Sequence, residues 1–347
     1  MSDNILITGG AGFIGSNLTE RLVKRGHKVT VFDNLSRLGT ELNLKQLSQS
    51  SQHGFSFIKG DIRNSKHLEE TVAGKKVVFH LAAQVAVTTS VADPKTDFEI
   101  NAQGTMNLLE AVRKVNSGAI VIYTSTNKVY GGIEGVHVVD RGDSYDYKKE
   151  RKGISELEPL DFHSPYGCSK GAADQYVRDY SRIYGLRTVV FRMSCIYGPR
   201  QFGNEDQGWV AHFIISSIFN QPLTIYGDGK QVRDVLYVDD LLDAFERSIR
   251  SIDKTKGKIY NMGGGRGRSI TLLQLIPKIE KRLKKKVDYH FSDWRPGDQK
   301  VYISNTEVFE REVGWQPKVS VDEGIDRLFS YVEKNRTLFT SIKSLYK

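Results

Sequence analysis

The residues best suited to chemistry are Tyr166 and Lys170, which open a helical pattern that runs to Tyr184. Their i, i+4 spacing places both side chains on one face of the predicted helix. A free phenol has a pKa near ~10, and a nearby ammonium favours the phenolate and so lowers that pKa. We therefore predict that Tyr166 acts as a general base at neutral pH, although an ordinary surface pair has the same spacing.

A run of hydroxyl side chains ends the fifth predicted strand, at Tyr123-Thr124-Ser125-Thr126. The carboxyl ends of parallel strands face the ligand crevice of an open α/β sheet. Hydroxyl groups placed there are suitable hydrogen-bond partners for a sugar. A solvated polar turn has a similar composition, and the sugar-binding interpretation is favoured because Tyr166 and Lys170 follow the run.

A glycine-rich turn follows the first apolar run, Ile5-Leu6-Ile7, and precedes an amphipathic helical pattern. Gly9, Gly12 and Gly15 fit G-x-x-G-x-x-G, and Gly10, Gly12 and Gly15 fit G-x-G-x-x-G. Glycines at these positions allow a sharp turn and let backbone N–H groups reach a pyrophosphate at the helix N-terminus. The alternative is a purely structural strand-to-helix turn.

Two carboxylates follow the next predicted strands. Asp33 ends the second strand, where a carboxylate accepts both ribose hydroxyls of an adenosine and repels a 2′-phosphate, which favours NAD over NADP. Arg37 keeps NADP open as the alternative. Asp61 closes the third strand, where it either accepts the adenine amino group or caps the following helix.

Strand-like and helix-like runs alternate through the first half of the chain, which predicts an α/β fold with a doubly wound parallel sheet. Asn101 is expected to begin a long helix through Val115 and to fix the backbone near the nicotinamide. The predicted strands lie near 4–8, 28–33, 55–60, 77–81, 119–125 and 187–192.

The composition is that of an ordinary globular enzyme, with 347 residues, 39% of them hydrophobic and 26% charged, and a net charge of +9. A basic run at 281–286 suggests nucleic-acid binding as one interpretation. No aromatic-rich basic motif accompanies the run, so we favour the interpretation that it is a solvated helix end. The strand pattern that starts at Asn4 predicts no signal peptide. No apolar run reaches the length of a membrane span.

The metal-ligand and redox signals are also weak. The eight histidines show no metal-ligand spacing, and the two cysteines, Cys168 and Cys195, form no disulfide framework. We therefore expect a cytoplasmic protein with no metal, no nucleic-acid partner and no membrane partner.

Several segments together resemble the extended short-chain dehydrogenase/reductase family, which comprises NAD-dependent sugar-nucleotide epimerases and dehydratases. These segments are T-G-G-A-G-F-I-G at 8–15, Asp33, Gly60-Asp61, H-L-A-A at 80–83, Val129-Tyr130-Gly131 and the Y-x-x-x-K at 166–170. The resemblance implies catalytic roles for Thr126, Tyr166 and Lys170, and implies that Lys170 also binds the nicotinamide ribose. The NAD-binding residues it implies are Gly9, Gly12, Phe13, Ile14, Gly15, Asp33, Asn34, Arg37, Asp61, Ile62, Leu81, Ala82, Ala83, Asn101, Tyr166 and Lys170.

The second half of the chain agrees with this resemblance. The segment 226–234 resembles the family's nucleotide-clamping strand, and Arg295-Pro296-Gly297-Asp298 resembles its second arginine site. The guanidiniums of Arg233 and Arg295 suit a substrate diphosphate, because each bonds phosphate oxygens in a fork. Surface ion pairing is the alternative. The expected substrate-binding residues are Thr126, Asn127, Ser194, Arg200, Gln207, Arg233, Arg295 and Asp298.

The resemblance also implies a division into two lobes and a dimer. We expect an NAD-binding Rossmann domain over 1–194 and a smaller α/β substrate lobe drawn mostly from 195–347. The insert 132–163 shows no clear periodicity, so we expect an excursion over the active-site rim that serves as a lid or a dimer contact. Helices near 96–115 and 164–185 lie where the family forms a four-helix dimer interface, which predicts a homodimer.

Two residues bear on which reaction of the resembled family is expected. Asn127 and Lys128 stand where the family's 4,6-dehydratases carry the Asp and Glu that remove water, so dehydration is not expected. The segments 125–131, 161–176 and 200–210 resemble the epimerases that invert C2 of CDP-linked sugars. This implies a 2-keto intermediate with hydride returned to the opposite face. A UDP-sugar 4-epimerase is the alternative enzyme, and an NAD-sensing regulatory protein is the non-enzyme alternative.

Overall fold

A seven-stranded parallel sheet lies at the centre of the fold in a computed structural model that describes residues 2–50, 54–295 and 298–341. The strands are β1 (Asn4–Thr8), β2 (Lys28–Asp33), β3 (Phe55–Lys59), β4 (Val77–His80), β5 (Ile120–Thr126), β6 (Val138–Asp140), β7 (Tyr145–Tyr147), β8 (Arg187–Met193), β9 (Cys195–Tyr197), β10 (Leu223–Tyr226), β11 (Val232–Tyr237), β12 (Lys258–Met262), β13 (Ser269–Thr271), β14 (Tyr289–Ser292) and β15 (Val301–Tyr302). The α-helices are α1 (Phe13–Lys24), α2 (Thr40–Ser50), α3 (Ser65–Val72), α4 (Val87–Ala92), α5 (Pro94–Phe98), α6 (Gly104–Val115), α7 (Ser164–Tyr184), α8 (Trp209–Ile218), α9 (Val238–Arg250), α10 (Ile252–Thr255), α11 (Leu272–Leu283), α12 (Glu307–Val313), α13 (Val321–Lys334) and α14 (Arg336–Thr340).

The main sheet has the order β3-β2-β1-β4-β5-β8-β12, with parallel pairing throughout. The chain runs outward from β1 to β3 on one side and from β4 on the other, so the strand order reverses between β1 and β4. Ligands of open α/β sheets bind outside the carboxyl ends of the strands at such a reversal. The predicted doubly wound fold is confirmed, and all six predicted strands are present.

Helices cover both faces of the sheet, and successive strand residues point to opposite faces, so neighbouring residues enter different cores. Ile5 and Ile7 of β1 enter one hydrophobic core, which also takes in α1 and α9, whereas Leu6 enters the other, which is formed with α3, α6 and α7. All three residues are fully buried or nearly so. This packing fixes the strand ends, and therefore the loops that carry the chemistry.

The second half of the chain builds a smaller lobe and also returns to the main sheet. Strand β11 pairs with β9, β13 and β15, and β10 pairs with β14. Strand β12 instead lies parallel to β8, with Tyr260 opposite Phe191, and forms the edge of the main sheet. The sequence patterns did not predict this seventh strand.

The insert 132–163 packs against the smaller lobe. Its hairpin, β6 and β7, contributes Tyr147 to a hydrophobic core with Val232, Tyr302 and Ile303, and the Tyr147 hydroxyl accepts from the Ile303 N–H at 3.1 Å. Ile154 forms an isolated parallel bridge with Ser304. The insert is therefore a folded part of that lobe.

The helix predicted from Asn101 begins earlier. Helix α5 runs directly into a π-helical turn over Glu99–Gln103, which continues as α6 to Val115. Single π-turns inside helices occur frequently at functional sites, and Asn101 lies within this one. Over the described part of the chain, every helix is too short or too polar to cross a membrane.

Candidate active site

The structure brings Thr126 and Tyr166 together where the end of β5 meets the start of α7. Thr126 is 7% exposed and Tyr166 8% exposed, and the Thr126 hydroxyl is near enough to the phenol to lower its pKa. The Tyr166 N–H donates to Ser90 Oγ at 3.1 Å, which fixes the first turn of α7. The Thr126 hydroxyl in turn accepts from the Lys128 N–H at 3.3 Å.

The predicted lowering of the Tyr166 pKa is wrong for the protein by itself. Burial raises the pKa of this phenol, the negative charge of Asp97 adds to the rise, and the nearby Thr126 hydroxyl offsets only part of it. The sequence argument counted the charge of Lys170 and left out the cost of burying a phenolate. A bound nicotinamide ring would bring a positive charge of its own, which would favour the phenolate.

Lys170 is 3% exposed and is held against β5. Its Nζ donates to the Thr124 carbonyl oxygen at 2.6 Å and lies 4.3 Å from the centroid of the Tyr123 ring. Burial lowers the pKa of this ammonium to about 7, although the carboxylates of Asp174 and Asp97 attract it. The lysine is therefore anchored against β5, one helical turn from Tyr166.

The glycine turn has the close approaches that its spacing predicts. The Gly12 N–H donates to the Gly9 carbonyl at 3.0 Å, and Gly9 has a φ of +69°. A Cβ on Gly9 would lie 2.6 Å from the Ala82 nitrogen, and a Cβ on Gly15 would lie 2.2 Å from the Gly9 oxygen. Helix α1 has neither a side-chain cap nor an acidic residue in its first turn. These features fit a dinucleotide pyrophosphate.

Asp33 is fixed by backbone donors at the end of β2. Its Oδ2 accepts from the Ala11 N–H at 3.0 Å and its Oδ1 accepts from the Leu35 N–H at 2.9 Å. Burial raises the pKa of this carboxyl despite those bonds. Each carboxylate oxygen retains a further lone pair, so the group remains able to accept ribose hydroxyls.

Asp61 is bound to side chains of the neighbouring loops. Its Oδ2 accepts from Asn34 Nδ2 at 3.0 Å, and the hydrogen-bonded Arg63 holds the pKa of the carboxyl at about 2. The N-cap of α3 is Asn64, whose Oδ1 accepts from the His67 N–H at 3.1 Å. The helix-cap interpretation of Asp61 is therefore wrong, and its adenine role stays a prediction.

Asn101 belongs to a buried polar network beside Tyr166. Its Oδ1 accepts from the Gln84 N–H at 3.0 Å and its Nδ2 donates to the Gln84 carbonyl at 3.1 Å, so it holds the chain just after β4. Asp97 accepts from Ser169 Oγ and from Asn101 Nδ2. Ser169 lies inside the Y-x-x-x-K segment, but no local pattern marks Asp97 or Ser90, and sequence reasoning missed both.

The two predicted diphosphate-binding arginines lie at the other end of the site. Arg233 Nη2 is 2.6 Å from Asp298 Oδ1. The Arg295 guanidinium lies 3.9 Å from the centroid of the Tyr226 ring and 3.7 Å from Asp206 Oδ1. Pro296 and Gly297 of the same motif lie outside the described residues.

Three other predicted substrate residues bind protein groups in the structure. The Ser194 hydroxyl donates to Asp234, the Arg200 guanidinium pairs with Glu20 at 2.8 Å, and the Arg37 guanidinium donates to Gln207. The last pair joins a predicted cofactor residue to a predicted substrate residue. The ligand roles of these side chains stay predictions. The remaining predicted cofactor residues, Phe13, Ile14, Ile62, Leu81, Ala82 and Ala83, lie on the loops and helix starts around β1, β3 and β4.

Residues 6–328 match the family described as GDP-mannose 4,6 dehydratase. The chain belongs to this family. Its fold is shared with solved epimerases and dehydratases of sugar nucleotides. The expectation of an NAD-dependent nucleotide-sugar enzyme is confirmed, as is the resemblance to the extended short-chain dehydrogenase/reductase group.

The individual relatives include both epimerases and dehydratases of sugar nucleotides. The chain is 44% identical to a CDP-paratose 2-epimerase of Salmonella typhi over 94% of this chain and 98% of the relative. It superposes on the crystal structure of the UDP-glucose 4-epimerase of Thermotoga maritima, solved with UDP-glucose, with a TM-score of 0.81 at 31% identity and coverage of 96% and 99%. A Thermus thermophilus UDP-glucose 4-epimerase in complex with NAD gives 0.79 at 31% identity and the same coverage. Epimerisation of a sugar nucleotide with NAD is the activity expected from the sequence, and these relatives confirm it.

Proposed function

We propose that this protein converts CDP-paratose to CDP-tyvelose by inverting C2 of the sugar. The observation that carries the proposal is the buried pair of Thr126 and Tyr166 at the end of β5 and the start of α7, with Asn127 and Lys128 directly after Thr126. A hydroxyl and a phenol are present for oxidation of a sugar alcohol, and no carboxylate stands at the two positions that a dehydratase of the resembled group uses. The 2-epimerase relative supports the choice of sugar and nucleotide.

The residues of this chain have distinct parts in that reaction. Tyr166, as the phenolate, accepts the proton of the sugar 2-hydroxyl, and Thr126 hydrogen-bonds the same oxygen. Lys170 holds the cofactor ribose and stabilises the phenolate. The glycine turn and Asp33 would hold NAD, which would supply the acceptor and donor for the hydride, and its positively charged ring would lower the Tyr166 pKa. Tyr166 returns the proton after the 2-keto sugar has turned.

Arg233 and Arg295 anchor the nucleotide while the sugar turns. Both guanidiniums already interact with a carboxylate, Asp298 and Asp206 respectively, so a diphosphate would exchange one anion for another. Anchoring keeps the ketone in the site through both half-reactions, which is an effect of positioning.

The lobes and the assembly are part of the same proposal. The NAD-binding residues lie within 1–194, and 195–347 supply most of the substrate lobe, to which the insert 132–163 is added. We also infer a homodimer through α5–α6 and α7, because Phe98, Tyr176, Ile183 and Tyr184 expose large apolar surfaces on these helices. Size-exclusion chromatography with light scattering tests this.

The free thiols of Cys168 and Cys195 support a cytoplasmic location.

The deciding experiment is proton NMR of purified protein mixed with CDP-paratose and no added cofactor. The proposal expects the C2-inverted sugar to appear, with NAD present in the denatured extract. Conversion of UDP-glucose to UDP-galactose without conversion of CDP-paratose would establish the 4-epimerase, which the Thermotoga maritima structure favours. Bound NAD with no turnover of either sugar would favour the regulatory protein.

A further inference from the structure

The turn at residues 226–231 connects the two elements that position the proposed diphosphate-binding arginines. Tyr226 ends β10, and the Arg295 guanidinium lies 3.9 Å from the centroid of its ring. Arg233 is the second residue of β11, which begins directly after the turn. A shift of this turn would therefore change the distance between the two guanidiniums.

The sequence of the turn gives it little stiffness of its own. Gly227 and Gly229 have φ values of +76° and +75°, a region that glycine enters freely, but glycine also has more alternative backbone conformations than any other residue. Within the turn, Asp228 Oδ1 accepts from the Lys230 N–H at 3.0 Å. The second carboxylate oxygen of Asp228 is free to bond a group outside the turn.

That group belongs to the insert 132–163. The Tyr145 hydroxyl, on β7, donates to Asp228 Oδ2 at 2.5 Å, and the Tyr145 N–H donates to the Lys230 carbonyl oxygen at 3.2 Å. Lys230 Nζ in turn donates to Asp140 Oδ2, on β6, at 3.1 Å. The hydrogen bond to Asp228 raises the pKa of Tyr145 to about 12, so the phenol keeps its proton and remains a donor at neutral pH.

The hairpin that carries Tyr145 is fixed by contacts other than this hydroxyl. Tyr147 is buried in the core that it shares with β11 and β15, and Arg266 Nη1 donates to Asp146 Oδ1 at 3.0 Å. Lys300 Nζ lies 4.8 Å from the centroid of the Tyr145 ring. Loss of the Tyr145 hydroxyl would therefore remove the bond to the turn and leave the hairpin in place.

We propose that the Tyr145–Asp228 hydrogen bond holds the 226–231 turn in its binding conformation, which makes Tyr145 a positioning residue for the nucleotide diphosphate. The inference rests on the proposed function, because that function places the diphosphate at Arg233 and Arg295. A turn that is already ordered loses less conformational freedom when the ligand binds, which increases affinity. The chemical step takes place at the other end of the site, so Tyr145 should affect binding and leave that step unchanged.

The test is calorimetric binding of CDP and UDP to the NAD-loaded wild type and its variants. Tyr145→Phe should weaken binding of the nucleotide that the wild type binds by about three- to tenfold, the effect of losing one hydrogen bond. Asp228→Ala should weaken it at least as much, because the bond within the turn is lost as well. Asp228→Asn should keep most of the affinity, since its amide nitrogen donates to the Tyr145 oxygen while its carbonyl accepts from the Lys230 N–H.

A double variant and a matched control separate positioning from general stability. Tyr145→Phe added to Asp228→Ala should cause little further loss of affinity, because both changes remove the same bond. Tyr260→Phe removes a similar hydrogen bond between β12 and α12, from the Tyr260 hydroxyl to Glu312 Oε2 at 2.5 Å, and should bind both nucleotides like the wild type. In the proposed reaction, Tyr145→Phe should raise KM and leave kcat and bound NAD unchanged.

Unchanged affinity in Tyr145→Phe, additive losses in the double variant, or equal weakening in Tyr260→Phe would overturn the positioning role. Melting temperature and bound NAD show that each variant is folded. If the wild type inverts CDP-paratose and Tyr145→Phe binds CDP equally well, the proposed function stands and the role of Tyr145 is wrong. If the wild type binds UDP and not CDP, and Tyr145→Phe weakens UDP binding, the CDP-linked substrate is wrong and the role of Tyr145 stands.

Discussion

The cofactor crevice and the substrate end of the site differ in what holds their polar groups. In the crevice, backbone N–H groups fix the Asp33 carboxylate, and glycines bring the backbone of the Gly9 turn against Ala82. At the substrate end, Arg233 and Arg295 are held by carboxylates that a diphosphate would replace. A cofactor retained through many turnovers therefore meets a rigid site, whereas a substrate that enters and leaves meets exchangeable ion pairs.

The largest expected effect is the loss of turnover when the proposed general base, Tyr166, is removed. Tyr166→Phe removes the proton acceptor but keeps the ring packing, so turnover should fall by about 10²–10⁴ while NAD stays bound. Turnover is followed by NMR and NAD by extraction from denatured protein. Unchanged turnover would exclude Tyr166 as the base.

Gly15→Ala should break the crevice by backbone contact alone. The new Cβ would lie 2.2 Å from the Gly9 oxygen, so the turn must open and bound NAD should be lost. Gly118→Ala is the matched control, because no atom lies within 4 Å of its added Cβ. Full NAD occupancy in Gly15→Ala, measured after denaturation, would contradict the rigid-crevice interpretation.

Arg233→Met should affect the substrate end only. Loss of a charged fork weakens nucleotide-diphosphate binding by about tenfold or more, so KM should rise while bound NAD stays constant. Steady-state kinetics and cofactor extraction measure the two quantities separately. Loss of NAD in this variant would show that the two regions are not independent.

Asp33→Ala should weaken NAD retention by about tenfold, since it removes the acceptor of the ribose hydroxyls and leaves the Ala11 N–H without its partner. Retention after dialysis is the measurement, and Asp33→Asn should lose less because the amide oxygen still accepts. Complete retention in Asp33→Ala would contradict the ribose role.

The smallest expected effect is a shift in pH dependence. The negative charge of Asp97 raises the pKa of Tyr166 and favours the charged form of Lys170. Asp97→Asn should therefore lower both pKa values and move both limbs of the kcat/KM profile to lower pH. Asp93→Asn, at the exposed cap of α5, should leave the profile in place. A shift to higher pH in Asp97→Asn would contradict the sign of this electrostatic effect.

Local sequence patterns predicted the elements whose signals are local. The six strands, the glycine turn and the Tyr166–Lys170 helix were found from periodicity and spacing, and the structure has them. Strand β12 was missed because Lys258–Met262 lies in the second half of the chain, outside the alternating strand-like and helix-like runs of the first half. Ion pairs such as Arg200 with Glu20 depend on folding and leave no local signal.

The direction of the Tyr166 pKa was predicted wrongly for a related reason. The charge of Lys170 is visible in the sequence, but the depth at which the phenol lies is a property of the folded chain. The resemblance to a known family supplied the roles of Thr126 and the arginines.

The return of the chain to the main sheet at β12 has a consequence for anyone who dissects this protein. A fragment that stops after residue 194 contains the nucleotide-binding turn and the catalytic tyrosine, yet it lacks the strand that covers β8. The exposed edge of β8 would present unpaired N–H and carbonyl groups beside apolar side chains, which is a template for aggregation. Expression of such a fragment should yield insoluble material, and inclusion of residues 258–262 is required for a self-contained sheet.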